Sequence, residues 1–140
     1  MRRLCALALV LWLAACATTP PLSSLEGRWK STGSRVYFSD GSSVEQVLDC
    51  RTEFSGERSV TECNTGRGPM RMTRANRELG PGRIESEVIE DRNVPRNVGR
   101  KSRVDWRIER GTLITTAYPP APKDPAGRYP VRIEASWRRE

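Results

Sequence analysis

The stretch that decides the fold is D-C-R-T-E-F-S-G-E-R-S-V-T-E-C, residues 49–63. Residue types alternate on both sides of Gly56-Glu57, and this period of two predicts a pair of antiparallel strands joined by a tight turn. If Gly56 and Glu57 form a two-residue loop, opposing residues have numbers that sum to 113, so Cys50 lies opposite Cys63. Counted outward from the turn, this pair is not hydrogen-bonded, and its close α-carbons suit a disulfide. The stretch therefore predicts a β-hairpin closed by one disulfide.

Cross-strand pairs support the same register. Arg51 lies opposite Glu62, which is a favourable charge pair, and Thr52 lies opposite Thr61. The spacing of the two cysteines does not match the Cys-X-X-Cys motif of redox-active pairs, so the predicted bond is structural.

Alternating runs of the same kind follow one another from Leu25 to the end of the chain. Three are strong, at residues 44–54, 104–109 and 131–138. Weaker runs lie at residues 27–31, 35–38, 59–63, 83–89 and 113–117. About eight short strands separated by turn residues predict an all-β domain, either a small antiparallel up-and-down barrel or a sandwich.

A second tight turn is predicted at residues 110–111. A two-residue loop there places Ile108 opposite Leu113 and Trp106 opposite Thr115.

Two segments depart from the strand pattern. Residues 69–80 carry Pro69 at a position that suits the start of a helix, an apolar stripe at helical spacing and Gly80 as a C-terminal cap. They predict a short helix, with a strand followed by a loop as the alternative. Residues 118–130 hold five of the ten prolines and predict a long surface loop, because proline cannot donate to a strand ladder.

The inward faces of the predicted strands carry sixteen large apolar residues. They are Trp29, Val36, Phe38, Val44, Leu48, Phe54, Val60, Ile84, Val88, Val104, Trp106, Ile108, Leu113, Val131, Ile133 and Trp137. An eight-stranded barrel can be filled by its own side chains or hold one small ligand. The bulk of this set favours the filled barrel.

Composition limits the chemistry that the chain can perform. It has no histidine, which excludes Ser-His-Asp and Cys-His catalysis and histidine-ligated metal sites. The aspartates and glutamates show no spacing typical of an acid and base pair, and residues 39–42 are better interpreted as a turn than as a calcium loop. We therefore predict no catalytic residue, no metal and no cofactor, and a protein that is not an enzyme.

Arginine carries most of the positive charge. The formal net charge is +7, and Lys30, Lys101 and Lys123 are the only lysines. Guanidinium groups bind phosphate and carboxylate bidentately, so the arginine-rich segments predict an anion-binding rim, with solvated loops as the alternative. The predicted anion-binding residues are Arg71, Arg74, Arg77, Arg96 and Arg100.

The first sixteen residues have the layout of an export signal. Arg2 and Arg3 precede an apolar run that is too short to cross a membrane, and the run ends in Leu13-Ala14-Ala15-Cys16. This ending resembles the lipobox of bacterial lipoproteins, which implies a signal peptide over residues 1–15 and lipidation of Cys16. The alternative is an ordinary signal peptide and a soluble periplasmic protein. Removal of the leader lowers the formal charge from +7 to +5.

The lipobox also implies a location. Residues 16–24 form a polar, proline-containing tether that spans at most roughly 30 Å, and residues 25–140 form one domain. Ala17 follows the anchor where an aspartate would imply retention in the inner membrane. We therefore expect a protein held by lipid on the periplasmic side of the outer membrane. Cys50 and Cys63 then remain as a pair in an oxidising compartment.

The two ends of the predicted domain carry a further resemblance. Gly27-Arg28-Trp29 opens the first strand and Trp137-Arg138-Arg139 closes the last. This arrangement resembles the lipocalin and calycin group, in which an arginine near the end of the barrel packs over the tryptophan of a Gly-X-Trp motif. Arg138 or Arg139 would be that arginine, and other motifs of the group are not evident. The alternative is that Trp29 is a core aromatic of any small sheet.

The lipocalin resemblance implies a binding module for a small apolar ligand, with Trp29, Trp106 and Trp137 as ligand-binding residues. The rival hypothesis is an inhibitor or partner-binding module for a protease, lysozyme or other envelope protein, with residues 118–130 as the contact loop. Predicted partners are the membrane through the lipid, anionic lipid or peptidoglycan, and the ligand or envelope protein. We predict no nucleic-acid partner, because nucleic acid is scarce in that compartment.

Overall fold

The protein folds as an antiparallel β-barrel in a computed structural model that describes residues 20–140. The predicted signal peptide and Cys16 lie outside the described residues. The strands are β1 (Gly27–Phe38), β2 (Ser43–Gln46), β3 (Asp49–Ser55), β4 (Arg58–Thr65), β5 (Gly68–Gly80), β6 (Arg83–Asp91), β7 (Lys101–Glu109), β8 (Thr112–Tyr118) and β9 (Pro130–Arg139). In the described part, the only helical elements are 3-10 turns at Leu22–Leu25 and Pro95–Asn97.

The barrel is closed by pairing of the first strand with the last. β1 pairs with β9 along most of its length, and each remaining strand pairs with the next in sequence. β2 and β3 both pair with β1, one after the other, and Val47 and Leu48 interrupt them. Together β2 and β3 occupy one strand position of the barrel, so the nine strand segments form an eight-stranded barrel. The predicted eight-stranded all-β barrel is confirmed.

The predicted disulfide hairpin is β3 and β4. Cys50 lies opposite Cys63 with their α-carbons 4.0 Å apart, and the two are bonded. Thr52 lies opposite Thr61, and their hydroxyls are 2.9 Å apart. The register predicted from Gly56-Glu57 is confirmed.

The second predicted hairpin is β7 and β8. Ile108 lies opposite Leu113 and Trp106 lies opposite Thr115. The turn residues Arg110 and Gly111 have φ values of 49° and 79°. Two successive positive φ angles are typical of a type I′ turn, whose twist matches that of the flanking strands. The two-residue loop predicted here is confirmed.

The helix predicted over residues 69–80 is wrong. The segment is β5, which pairs with β4 along one edge and with β6 along the other. An isolated helix there would leave the backbone groups of both neighbouring strands without partners, and this requirement outweighs a weak local helix preference. As a strand, β5 directs Met70, Met72, Arg74 and Asn76 into the barrel.

The two ends of the barrel differ. One end is closed by an apolar cluster of Leu25, Trp29, Ile84, Trp106 and Leu113, all at most 5% exposed. The turn Leu22–Leu25 covers this end, with Leu22 packed against the cluster. The predicted tether is therefore structured from Leu22 onward. The opposite end carries the β1–β2, β4–β5, β6–β7 and β8–β9 connections.

Candidate functional site

The barrel encloses a cavity of about 480 Å³. Its walls are the inner faces of the strands, and at its open end it is bordered by Asn97, Arg100, Pro119, Pro120 and Pro130. The filled barrel that the sequence favoured is therefore wrong. The volume lies within the range of roughly 300–1,000 Å³ that is common for small-molecule sites.

The filled-barrel prediction failed because many inward positions are small or polar. Ser59 and Thr61 line the cavity, whereas Val60, which the sequence placed inside, alternates with them and points outward. The signal was present in the sequence: the disulfide register sets Thr61 beside Thr52 on the face of the cysteines, and this face excludes Val60. Val131 is 39% exposed near the open end and does not line the cavity.

The cavity has two chemically different walls. Side chains from β8, β9 and the second half of β1 supply an apolar wall, which contains Val36, Leu113, Ala117, Ile133, Ala135 and Trp137. The facing wall, from β4, β5 and β6, is more polar: it contains Ser59, Thr61, Arg74, Asn76 and Ser86 beside Met70, Met72, Ile84 and Val88. A space with one largely apolar wall and polar groups on the other suits an amphipathic molecule better than a purely apolar one.

The three predicted ligand-binding tryptophans separate into two groups. Trp29 and Trp106 are 1% and 5% exposed within the apolar cluster of the closed end, and neither lines the cavity. Trp137 lines the cavity, and its indole N–H donates to Thr115 Oγ1 at 3.1 Å. Trp29 and Trp106 lie at the closed end of the barrel and form the floor below the cavity, whereas Trp137 borders the cavity itself.

Arg139 contacts both Trp29 in the floor of the barrel and the N-terminal turn. Its guanidinium lies 4.4 Å from the centroid of the Trp29 ring and donates to the carbonyl oxygens of Glu26 at 2.6 Å and Ser24 at 2.9 Å. Of the two candidate arginines that the sequence offered, Arg139 is the one that packs over the tryptophan. The contact ties the last strand to the N-terminal turn across the closed end.

The five predicted anion-binding arginines do not form one rim. Arg71 is paired with Glu62 at 2.7 Å, and Arg77 is paired with Glu85 at 3.0 Å on the outer surface. The hydrogen bond from Arg77 lowers the pKa of Glu85. Arg96 is exposed in the turn Pro95–Asn97. Only Arg74 and Arg100 line the cavity.

Arg74 lies on the polar wall, and its side chain is directed into the barrel. Its one hydrogen bond with the described residues runs from Nη1 to Thr61 Oγ1 at 3.4 Å, and no described carboxylate lies within 4.0 Å. Burial lowers the pKa of Arg74, and the nearby charge of Asp91 opposes that shift. A guanidinium nevertheless stays protonated in proteins.

The carboxylate of Asp91 is hydrogen-bonded to the loop that follows β6. A register shift between β5 and β6 turns this residue toward the inside, opposite Met72, where it is 5% exposed. Its carboxylate accepts hydrogen bonds from the backbone N–H groups of Asn93 and Val94 and from Asn97 Nδ2 at 2.8–3.0 Å. Burial acts to raise the pKa of Asp91, but these bonds and the charge of Arg74 together lower it.

The predicted proline-rich loop is present, but its ends belong to the cavity. Pro119, Pro120 and Pro130 line the opening, and Tyr129 exchanges hydrogen bonds with Ser39 at 2.9 and 3.2 Å. Arg128 stacks over Phe38 at 4.3 Å from the ring centroid. The middle of the loop is exposed. Its use as an inhibitory contact stays a prediction.

Two features are absent from residues 20–140. No cluster of three or more cysteine, aspartate or glutamate side chains is arranged to hold a metal ion in this part of the chain. Within the same residues, no helix has the length and apolar character needed to cross a membrane.

Comparisons with known proteins identify a fold neighbour and no family. No protein-family model matches the sequence, and no curated protein matches it. Among solved structures, the chain is similar to a lipocalin-like protein from Bacteroides uniformis, with a TM-score of 0.51 and 14% identity. The match covers 83% of this chain and 98% of the other. At this identity the similarity shows the fold alone, a lipocalin-like barrel.

Proposed function

We propose that this barrel is a binding module for one small amphipathic molecule, which it holds in the cavity between Trp137 and the polar wall. The observation that carries the proposal is the cavity itself, about 480 Å³ in a lipocalin-like barrel, with unlike walls facing each other. Ligand pockets typically combine a largely apolar lining with a few polar groups that orient the ligand.

The closed end supports the same function. The apolar cluster and the contact of Arg139 with Trp29 fill that end, so a ligand enters through the opposite end. The proline-bearing β8–β9 connection borders that entrance. A packed floor and a loop-lined entrance allow ligand exchange without unfolding of the strands.

We further propose that the module works outside the cytosol, anchored by lipid on Cys16 to the periplasmic side of the outer membrane. The lipobox-like Leu13-Ala14-Ala15-Cys16 supports the anchor, and the Cys50–Cys63 disulfide supports export because structural disulfides persist in oxidising compartments. The first described residues cover the closed end, so a membrane tether leads to that end and the entrance faces away from the bilayer. Incorporation of labelled palmitate that Cys16→Ser abolishes is the expected result. Equal labelling of both proteins, or of neither, would contradict the anchor.

The binding function is tested with the full chain carrying Cys16→Ser and the fluorescent methyl ester of cis-parinaric acid. Saturable binding with one site is expected, accompanied by energy transfer from the tryptophans of the barrel to the probe. Ala117→Trp fills the cavity from the apolar wall and should abolish binding, because Ala117 lines the cavity.

The matched control is Thr116→Trp on the neighbouring position of β8, whose side chain does not line the cavity. It adds the same indole without filling the cavity, so binding should persist. Equal binding by the wild type and both variants would place the probe on the outer surface and refute the proposal, and so would the absence of binding to the wild type.

A further inference from the structure

The polar wall of the cavity contains a cation, Arg74, that has no carboxylate of residues 20–140 within 4.0 Å. Arg74 has five N–H donors, and one of them makes a long hydrogen bond to Thr61 at 3.4 Å. The two other arginines of β5, Arg71 and Arg77, point outward and each contact a glutamate. Arg74 therefore differs from its neighbours on the same strand: it is directed inward and its donors face the cavity.

The strand register adds a second cation to the same side. Arg74 lies opposite Val88 on β6, and the backbone N–H of Val88 donates to the carbonyl of Arg100 at 3.0 Å. Since neighbouring strands are about 4.8 Å apart, the backbones of Arg74 and Arg100 are separated by roughly 10 Å. Both side chains line the cavity, Arg74 midway along β5 and Arg100 at the entrance.

The nearest acid does not neutralise this pair. Asp91 attracts Arg74 electrostatically, but its oxygens accept three hydrogen bonds from the β6–β7 connection. Asn97 links the two groups, because it donates to Asp91 and accepts from Arg100 Nη1 at 3.3 Å. The acid thus fixes the loop that carries Arg100 and leaves the Arg74 fork open.

A guanidinium inside the barrel forms stronger hydrogen bonds to an anion than to a neutral hydroxyl, so an anionic group that enters the cavity completes the Arg74 fork. Thr61 contacts this guanidinium, Ser59, Asn76 and Ser86 lie on the same wall, and the facing wall is largely apolar. Asn76 is itself satisfied by Ser59 at 3.0 Å and Ser86 at 2.9 Å, so it does not compete for Arg74.

We infer that the ligand of this cavity is an anionic amphiphile, with a single carboxylate or phosphate head bound by Arg74 and an apolar chain against Trp137 and the β8–β9 wall. Arg100, at the entrance, attracts the head during entry. This inference rests on the proposed function, since it specifies the chemistry of the molecule in that same cavity.

The test compares two probes that differ only in head charge, cis-parinaric acid and its methyl ester, on the full chain carrying Cys16→Ser at neutral pH. The acid should bind at least about tenfold more tightly, as expected for charge-assisted hydrogen bonds in a shielded site. Arg74→Gln should remove that preference, which means that it weakens binding of the acid about tenfold more than binding of the ester. Arg71→Gln is the matched control, since it removes an arginine of the same strand that is paired outside, and it should keep the preference.

The outcomes separate the two proposals. If neither probe binds the wild type, the binding function fails and the inference fails with it. If the ester binds as tightly as the acid, the binding function stands and the anionic head is refuted. A preference that survives Arg74→Gln also refutes the inference, because another group then recognises the head. Should Arg74→Gln not fold, Arg74→Lys keeps the charge without the bidentate fork and should retain part of the preference.

Displacement of bound probe from the wild type identifies the source of the head. Dodecanoate and dodecyl phosphate should both displace the probe better than neutral dodecanol. Stronger displacement by dodecanoate indicates a fatty acid, and stronger displacement by dodecyl phosphate indicates a phosphate-bearing lipid. Displacement by dodecanol equal to that by both anions would overturn the inference.

Discussion

The disulfide between β3 and β4 permits a prediction whose size follows from the structure. The bond joins Cys50 and Cys63, which are 13 residues apart in sequence, across a register that the turn already fixes. In the chain-entropy model, closing a loop of this length stabilises the folded state by about 3 kcal/mol relative to the unfolded chain. Both cysteines are buried, at 3% and 5% exposure, so their replacement by alanine avoids burying an unpartnered hydroxyl.

We therefore expect the double variant Cys50→Ala, Cys63→Ala to lose about 3 kcal/mol of unfolding free energy in urea. For a domain of this size, the loss corresponds to a decrease of roughly 10 °C in Tm. Circular dichroism should show an unchanged β-rich spectrum below the transition, because the remaining ladder bonds of the hairpin do not depend on the sulfur bridge.

Reduction of the wild type provides the control, since it breaks the same bond and keeps both cysteine side chains in place. The reduced wild type and the double variant should melt within a few degrees of each other. An oxidised wild type that melts no higher than its reduced form would refute the reasoning. A reduced wild type that keeps the full Tm while the double variant loses stability would also refute it, because the loss would then come from packing.

Three further predictions concern other contacts. Arg139→Gln should lower stability by about 1–2 kcal/mol in urea, because it removes the stacking on Trp29 and two hydrogen bonds at the closed end. Arg138→Gln should have almost no effect, because the Arg138 side chain makes no hydrogen bond or ion pair with the described residues. Asn76→Ala should cost about 2–3 kcal/mol, because it leaves two buried serine hydroxyls without their partner, and an unchanged urea midpoint would contradict that role. The folded-state pKa of Asp91 is lowered, so its carboxylate stabilises the fold above the ordinary aspartate pKa and the contribution is lost as pH falls through the folded pKa. The stability difference between wild type and Asp91→Ala should therefore be largest at neutral pH and shrink below about pH 4, and a difference independent of pH would contradict it.

The hairpins could be predicted because their information is local. A glycine at a two-residue turn fixes the register, and the register fixes every opposing pair along both strands. The cysteine pair followed from Gly56-Glu57, and the pair of Trp106 with Thr115 followed from the turn at residues 110–111. Both hairpins are found as predicted.

The assignment of β5 required information that the local sequence does not contain. Residues 69–80 have a helix-like spacing of apolar residues, and only the need of β4 and β6 for a hydrogen-bonded neighbour makes them a strand. The same error hid the site, because a helix would not have directed Arg74 into the barrel. Arg74 was predicted to bind anions, but its separation from the outward-facing Arg71 and Arg77 became visible only with the strand register.

The cavity was missed for a different reason. The alternation rule places large apolar residues inward, and it ignores runs in which serine and threonine occupy the inner face. Ser59 and Thr61 take less volume than an inward valine such as the predicted Val60, and the space they leave is part of the site.

The central claim, that the barrel interior holds an amphipathic ligand, is tested most directly by anomalous diffraction from crystals of the Cys16→Ser protein grown with a bromine-labelled fatty acid. We expect one strong bromine peak inside the barrel, on the side of Trp137, with the carboxylate density beside Arg74. Bromine peaks confined to the outer surface, with an interior that remains free of ligand density at saturating concentration, would contradict it.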